Sequence, residues 1–136
     1  MVQVPVLTAR SLLFVPGDSD KKFEKAKNSA ADLLLIDLED AVAESAKPDA
    51  RIMVHDNLKA FTGVNRPWVR INPIDTPHAL PDLAAIVRAR PGGIMLPKVR
   101  DRRDVERLDA YLSALEVQAG VPEGEIRVII VATETP

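Results

Sequence analysis

Acidic, basic and amide side chains recur at the ends of the aliphatic runs in this sequence. Asp37-Leu38-Glu39-Asp40 follows one run, Arg70 lies inside another with Asn72-Pro73 just after it, Pro97-Lys98 closes a further run, and Thr133-Glu134-Thr135 follows the last. Three acids within four residues cannot all ionise cheaply unless cations lie nearby. An arginine inside an apolar run needs a carboxylate or a ligand beside it, since an unpaired charge there is expensive. Asp37, Glu39 and Asp40 are the structural candidates for that partner. Carboxylates hold hard cations through oxygen, and a guanidinium pairs bidentately with a carboxylate or enolate. The set therefore suits a hard divalent cation such as Mg²⁺ together with an anionic, oxygen-rich substrate.

Other chemistries are excluded or disfavoured. With no cysteine there is no disulfide, thiolate metal site or thiol nucleophile. His55 falls in a helical segment and His78 at a helix start, so both read as surface residues, and no Ser or Thr has a His partner at a motif position for a hydrolase triad. Pro16-Gly17-Asp18 is not a glycine-rich phosphate loop, and no dinucleotide or Walker fingerprint is present. A formal net charge of −2 argues against nucleic-acid binding. The stretch from Met1 to Arg10 lacks the basic and continuous apolar regions of a signal peptide, and no run could span a bilayer. A cytoplasmic protein is the expectation.

The elements that must position these residues follow from periodicity. Leu12–Val15, Leu33–Ile36, Trp68–Ile71, Ile94–Leu96 and Val128–Val131 are strand-length and mostly continuous in apolar character, as in strands covered on both faces. Between them lie stripes at helical spacing: Ala50, Met53, Val54, Leu58 and Phe61; Leu80, Leu83 and Val87; Val105, Leu108, Leu112 and Leu115. A weaker helix covers Ser19 to Ala30. Asp18 or Ser19, Thr76 before Pro77, and Asp101 are the expected N-caps. The strict β-α alternation predicts a single α/β domain with parallel strands, either a doubly wound sheet or a barrel. In both, ligands sit beyond the carboxyl ends of the strands, where the polar residues lie. Arg100, Arg102 and Arg103 alternate with Asp101 and Asp104 and read as a solvated helix start.

Five segments together carry a resemblance. Arg10-Ser-Leu-Leu-Phe-Val-Pro-Gly17, Leu35-Ile-Asp-Leu-Glu-Asp-Ala-Val42, Val69-Arg-Ile-Asn-Pro73, Met95-Leu-Pro-Lys-Val99 and Ala132-Thr-Glu-Thr135 resemble, in order, the strand-end motifs of the citrate lyase beta-subunit family. That family belongs to the HpcH/HpaI aldolase superfamily with the malyl-CoA and citramalyl-CoA lyases. The resemblance implies a (β/α)₈ TIM barrel, a fold of about 250 residues, of which residues 1–136 supply the N-terminal five βα units. It also implies a Mg²⁺-dependent carbon–carbon lyase that cleaves or condenses a 3-hydroxyacyl-CoA thioester, with a keto acid as the other partner. Glu134 would ligate the metal, while a second ligand, an Asp after the next strand, and an acid from a neighbouring subunit would lie beyond Pro136. Arg70 would bind the keto-acid half and stabilise the enolate, with Glu39 and Asp40 supporting the arginine and the metal's waters. Arg10 and Lys98 would meet the substrate carboxylate or the CoA phosphates. A homo-oligomer, trimeric or hexameric, is implied as well. Two other readings remain open at this point: a class II pyruvate aldolase acting on a free hydroxy-keto acid, and a non-catalytic, self-associating partial barrel with exposed edges.

Overall fold

In the computed structural model, residues 8–136 are described; most of the N-terminal stretch read above as lacking a signal lies outside them. Five strands form one sheet: β1 (Leu12–Pro16), β2 (Leu33–Asp37), β3 (Trp68–Arg70), β4 (Gly93–Leu96) and β5 (Arg127–Ile130). Four α-helices alternate with them: α1 (Asp20–Lys27), α2 (Lys47–Ala60), α3 (Ala79–Ile86) and α4 (Arg102–Ala119). All neighbouring strands are parallel, and their spatial order is their sequence order. That order separates the two architectures left open by the sequence. A doubly wound sheet reverses its strand order part-way and carries helices on both faces. Here the order never reverses, and all four helices share one face, as in the wall of a barrel.

The packing follows the same division. Val15, Leu34, Ile36, Val69, Ile94 and Leu96 point outward and form one buried cluster with Phe23 and Ala26 of α1, Val54 and Leu58 of α2, Leu83 and Ile86 of α3, and Leu108 and Leu112 of α4. The opposite face holds a smaller cluster of Leu33, Leu35, Trp68 and Met95, with Leu12 and Ile129 packed against it and no helix residue in it. Gly93 makes room there: a Cβ on it would lie 2.3 Å from the Trp68 ring. The sheet ends at β1 and β5. Leu13 and Phe14 on β1 and Val128 and Ile130 on β5 are correspondingly exposed, so the two edge strands carry apolar surface.

Helix starts follow local chemistry, with one correction. Ser19 accepts from Lys22 N to cap α1, and Asp101 accepts from Arg103 N to cap α4. Thr76 does not cap α3; its hydroxyl donates to Pro73 O, closing a turn, and the helix begins at Ala79 with Pro81 in its first turn. A proline is tolerated there because first-turn N–H groups need no intrahelical acceptor. Leu80, expected in the apolar stripe, is exposed, and the buried face of α3 is Ala79, Leu83 and Ile86.

Candidate active site

The carboxyl ends of the strands bring Asp37, Glu39, Asp40, Arg70, Asn72, Lys98 and Glu134 to one rim. Strand register does the first part of the work. Asp37, the last residue of β2, pairs with Arg70, the last residue of β3, so both side chains project from the same, inner face. Arg70 Nε donates to Asp37 Oδ1 at 2.8 Å and Nη2 to Oδ2 at 2.7 Å, a fork-to-fork pair. The guanidinium also lies over the Phe14 ring, 4.6 Å from its centroid. Its third nitrogen, Nη1, faces Glu39 Oε1 at 3.5 Å, outside hydrogen-bonding geometry.

Asp37 does more than pair with Arg70. Besides Arg70 it accepts from Glu39 N and Ala41 N, both at 2.9 Å, and so shapes the turn that presents Glu39. Burial alone would raise its pKa, but the Arg70 guanidinium and the two backbone donors outweigh it and hold the carboxyl below the usual aspartate value. Glu39 behaves oppositely. Its burial, at 4% exposure, pushes the carboxyl up, against the opposing pull of Lys98 and Arg70. Glu39 Oε2 accepts from Lys98 Nζ at 2.7 Å, while Oε1 is buried without a hydrogen-bond partner. That oxygen lies 3.5 Å from Arg70 Nη1, so its charge is compensated although its hydrogen-bonding capacity is not used.

The loop carrying Glu39 is fixed from below by Asn72, just past the end of β3, and by Lys47, Arg51 and Asp82, which spacing alone does not single out. Lys47, buried at the start of α2, donates to Leu38 O and Glu39 O at 2.8 and 2.9 Å. Asn72 Nδ2 donates to Leu38 O and to Asp82 Oδ2. Asp82 is fully buried and also accepts from Asn72 N and Arg51 Nε. Arg51 reaches His78 Nδ1, and His78 Nε2 bonds Glu44. His78, expected at the surface, is thus half-buried in this network, and His55 bonds Ala85 O. The available signal was a polar residue two positions past β2 and β3, each followed by a polar residue in the next helix, Lys47 and Asp82.

Lys98 and Glu134 meet on the other side of the rim. Lys98 N donates to Glu134 Oε2 at 3.0 Å, and its ammonium stands 3.5 Å from Asp40. The ammonium expected to meet substrate is thus already engaged by acids, and Glu39 beside it raises its pKa. Thr135 donates to Val99 O and pins the segment that carries Glu134. Arg10 is not brought to this rim. It precedes β1 and pairs with Asp32, just before β2, at the opposite end of the sheet. At about 3.3 Å per strand residue that end is roughly 20 Å away.

Among the described residues no three His, Cys, Asp or Glu side chains are grouped to enclose a metal ion. The donor chemistry nevertheless fits a hard cation held mainly by water and substrate oxygens, since Mg²⁺ commonly takes only one or two carboxylates. Glu134 is exposed and is therefore the acid open to such a cation.

A family model described as HpcH/HpaI aldolase/citrate lyase matches residues 10–136. The chain belongs to this family. Among its relatives are a (3S)-malyl-CoA thioesterase of Cereibacter sphaeroides, 37% identical over 81% of this chain and 39% of that protein. The citrate lyase subunit beta of Haemophilus influenzae is 33% identical over 93% of this chain and 44% of its own. The mitochondrial citramalyl-CoA lyase of Rattus norvegicus is 36% identical over 71% and 30% respectively. This family member thus spans about two fifths of the length of such relatives. Its fold matches the N-terminal part of barrel structures. The citrate lyase beta subunit of M. tuberculosis, solved with oxaloacetate and magnesium, superposes at a TM-score of 0.65 with 31% identity, over 89% of this chain and 46% of that one. Haloferax volcanii malate synthase reaches 0.78 at 18% identity, over 90% and 42%, a likeness of fold alone. No helix among the described residues is long and apolar enough to cross a membrane.

Proposed function

We propose that this chain is the N-terminal part of a Mg²⁺-dependent carbon–carbon lyase that cleaves or condenses a 3-hydroxyacyl-CoA thioester, yielding an acyl-CoA and a keto acid. The observation that carries the reading is the placing, on one rim, of Arg70 Nη1 3.5 Å from Glu39 Oε1, an oxygen that accepts no hydrogen bond, with each residue fixed by buried partners. Arg70 is held by Asp37 in one orientation, so Nη1 can meet the keto-acid carboxylate or carbonyl without reorganising. Glu39, made more basic by burial, accepts the proton of the substrate 3-hydroxyl. The carbon–carbon bond then breaks, its electron pair passing to the acyl-CoA enolate as the keto acid's carbonyl forms. Glu134 would hold Mg²⁺, which supplies Lewis-acid polarisation of the substrate oxygens. Magnesium and oxaloacetate in the solved M. tuberculosis relative support this choice of cation and of a keto acid as the product class.

The test is cleavage of malyl-CoA and citramalyl-CoA, followed by thioester product analysis with and without Mg²⁺. Glu134→Gln should lower kcat by at least about a hundredfold, the scale of losing one electrostatic stabiliser. Its stability should change little, because Glu134 is exposed and bonds only Lys98 N. Wild-type cleavage that is indifferent to Mg²⁺, or to this substitution, would sink the proposal. The exposed edge strands β1 and β5 favour a second reading for residues 1–136 taken alone, self-association through Leu13, Phe14, Val128 and Ile130. Concentration-dependent sedimentation distinguishes it from a monomer.

A further inference from the structure

The arginines of this chain divide into two groups. Arg10, Arg51, Arg70, Arg100, Arg102 and Arg103 each pair with a carboxylate. Arg66, Arg88, Arg90 and Arg127 have no carboxylate partner among the described residues, and together they line one cleft of about 550 Å³. Lys59 joins them, and Glu125 is the acid on the wall. Arg107, on α4, is the remaining arginine without a carboxylate. The cleft lies under the amino ends of the strands: Leu33, Trp68 and Arg127 are the first residues of β2, β3 and β5, and Gly92 directly precedes β4. The length of the sheet, roughly 15 Å, separates it from the Arg70 rim.

Local structure accounts for part of this charge. Arg66 donates to Leu58 O, Phe61 O, Ala89 O and Arg90 O, carbonyls left open where α2 and the turn after α3 end. Arg90 Nη2 donates to Gly120 O. No acceptor among the described residues engages the side chains of Lys59, Arg88 or Arg127. Burial first, and then the Arg90 charge, hold the Arg66 guanidinium below the usual arginine value, as in a site short of negative charge. Like charges around a concave surface repel one another until an anion enters, and the low-dielectric walls focus their field inward. The volume is that of a small-molecule site, and guanidinium forks match phosphate oxygens. A diphosphate brings several negative charges into a fraction of that space, where a carboxylate brings one. We propose that this cleft binds a small molecule carrying two or more linked phosphates, at a site separate from the Arg70 rim. The lyase reading is not needed for it.

The experiment is calorimetric titration of the protein with inorganic diphosphate, with Trp68, the chain's single tryptophan, as a fluorescence reporter at the cleft. Arg88→Gln and Arg127→Gln, both at exposed positions, should each weaken binding at least about tenfold, the scale of losing one charged hydrogen bond. Arg107→Gln, outside the cleft, should leave it unchanged. Absence of binding by wild type, losses no larger than that of Arg107→Gln, or equal affinity for sulfate overturns the proposal. Should circular dichroism show a variant to be misfolded, wild type still decides. Diphosphate should protect Arg88 and Arg127, but not Arg107, from phenylglyoxal modification read by mass spectrometry. Equal modification with and without diphosphate refutes the site.

Discussion

Replacing Asp37 with asparagine removes one charge from the centre of the rim while keeping the shape of the side chain. In the wild type its two oxygens accept four bonds, from Arg70 Nε, Arg70 Nη2, Glu39 N and Ala41 N. An asparagine keeps one acceptor oxygen and turns an NH₂ toward two donors, so two bonds become repulsive contacts. Arg70, 14% exposed, then keeps only the Glu39 carboxylate, 3.5 Å from Nη1 and outside hydrogen-bonding geometry. Breaking a buried pair from one side costs about 3–5 kcal/mol, and partial access to water puts this case near the lower bound, about 3 kcal/mol. Urea denaturation at neutral pH measures the loss, and a cycle with Arg70→Met should return a coupling of about 2 kcal/mol. The pH dependence supplies an internal control. Asp37 has a folded pKa below its unfolded value, so its stabilisation is present above about pH 3.8 and is lost as pH falls through the folded pKa. The gap between wild type and Asp37→Asn should therefore shrink on acidification through that range. A loss under about 1 kcal/mol at neutral pH, or effects of the two substitutions that simply add, would refute the account of Arg70 as held by Asp37.

Glu39→Gln should show the opposite pH behaviour, because burial raises the folded pKa of Glu39 above 4.5. Wild-type stability from this group falls as pH rises from 4.5 through the raised value, so the variant should gain on wild type across that window; a pH-independent difference in urea midpoints would count against it. Lys47→Met leaves Glu39 O without its ammonium donor and should cost about 1–3 kcal/mol in denaturant titrations. Gly93→Ala places a methyl group 2.3 Å from the Trp68 ring. Overpacking of this kind costs about 1–3 kcal/mol and should change the Trp68 emission spectrum; an unaltered spectrum and midpoint would refute the packing on the inner face.

Much of the architecture was legible because strand and helix periodicities are local properties of the chain. The five aliphatic runs and four intervening stripes correspond to strands and helices in the same order, and Asp101 and Ser19 cap as their side-chain chemistry demands. Polar residues after strands marked the rim, since parallel strands all end on the same side. Thr76 and Leu80 were misplaced because the competing turn bond to Pro73 O and the rotation of a short helix depend on neighbours distant in sequence. Arg10 stands at the foot of β1, as its place in the sequence implies, but the Asp32 that holds it is 22 residues away and could not be read from the motif.

The sequence by itself determined which residue types lie at strand ends, that the strands are parallel, and that Arg70 requires an acidic partner or ligand. Periodicity left barrel wall and doubly wound sheet open and the motif resemblance implied the barrel; the strand order, a property of pairing across the chain, agrees with the barrel. Only the tertiary structure decided which acid takes Arg70. Asp37, Glu39 and Asp40 are equivalent by spacing, but register sets Asp37 opposite Arg70 and leaves Glu39 to Lys98. That Glu39 Oε1 accepts no hydrogen bond follows from that division, since hydrogen bonding in a buried site depends on three-dimensional reach rather than on distance along the chain.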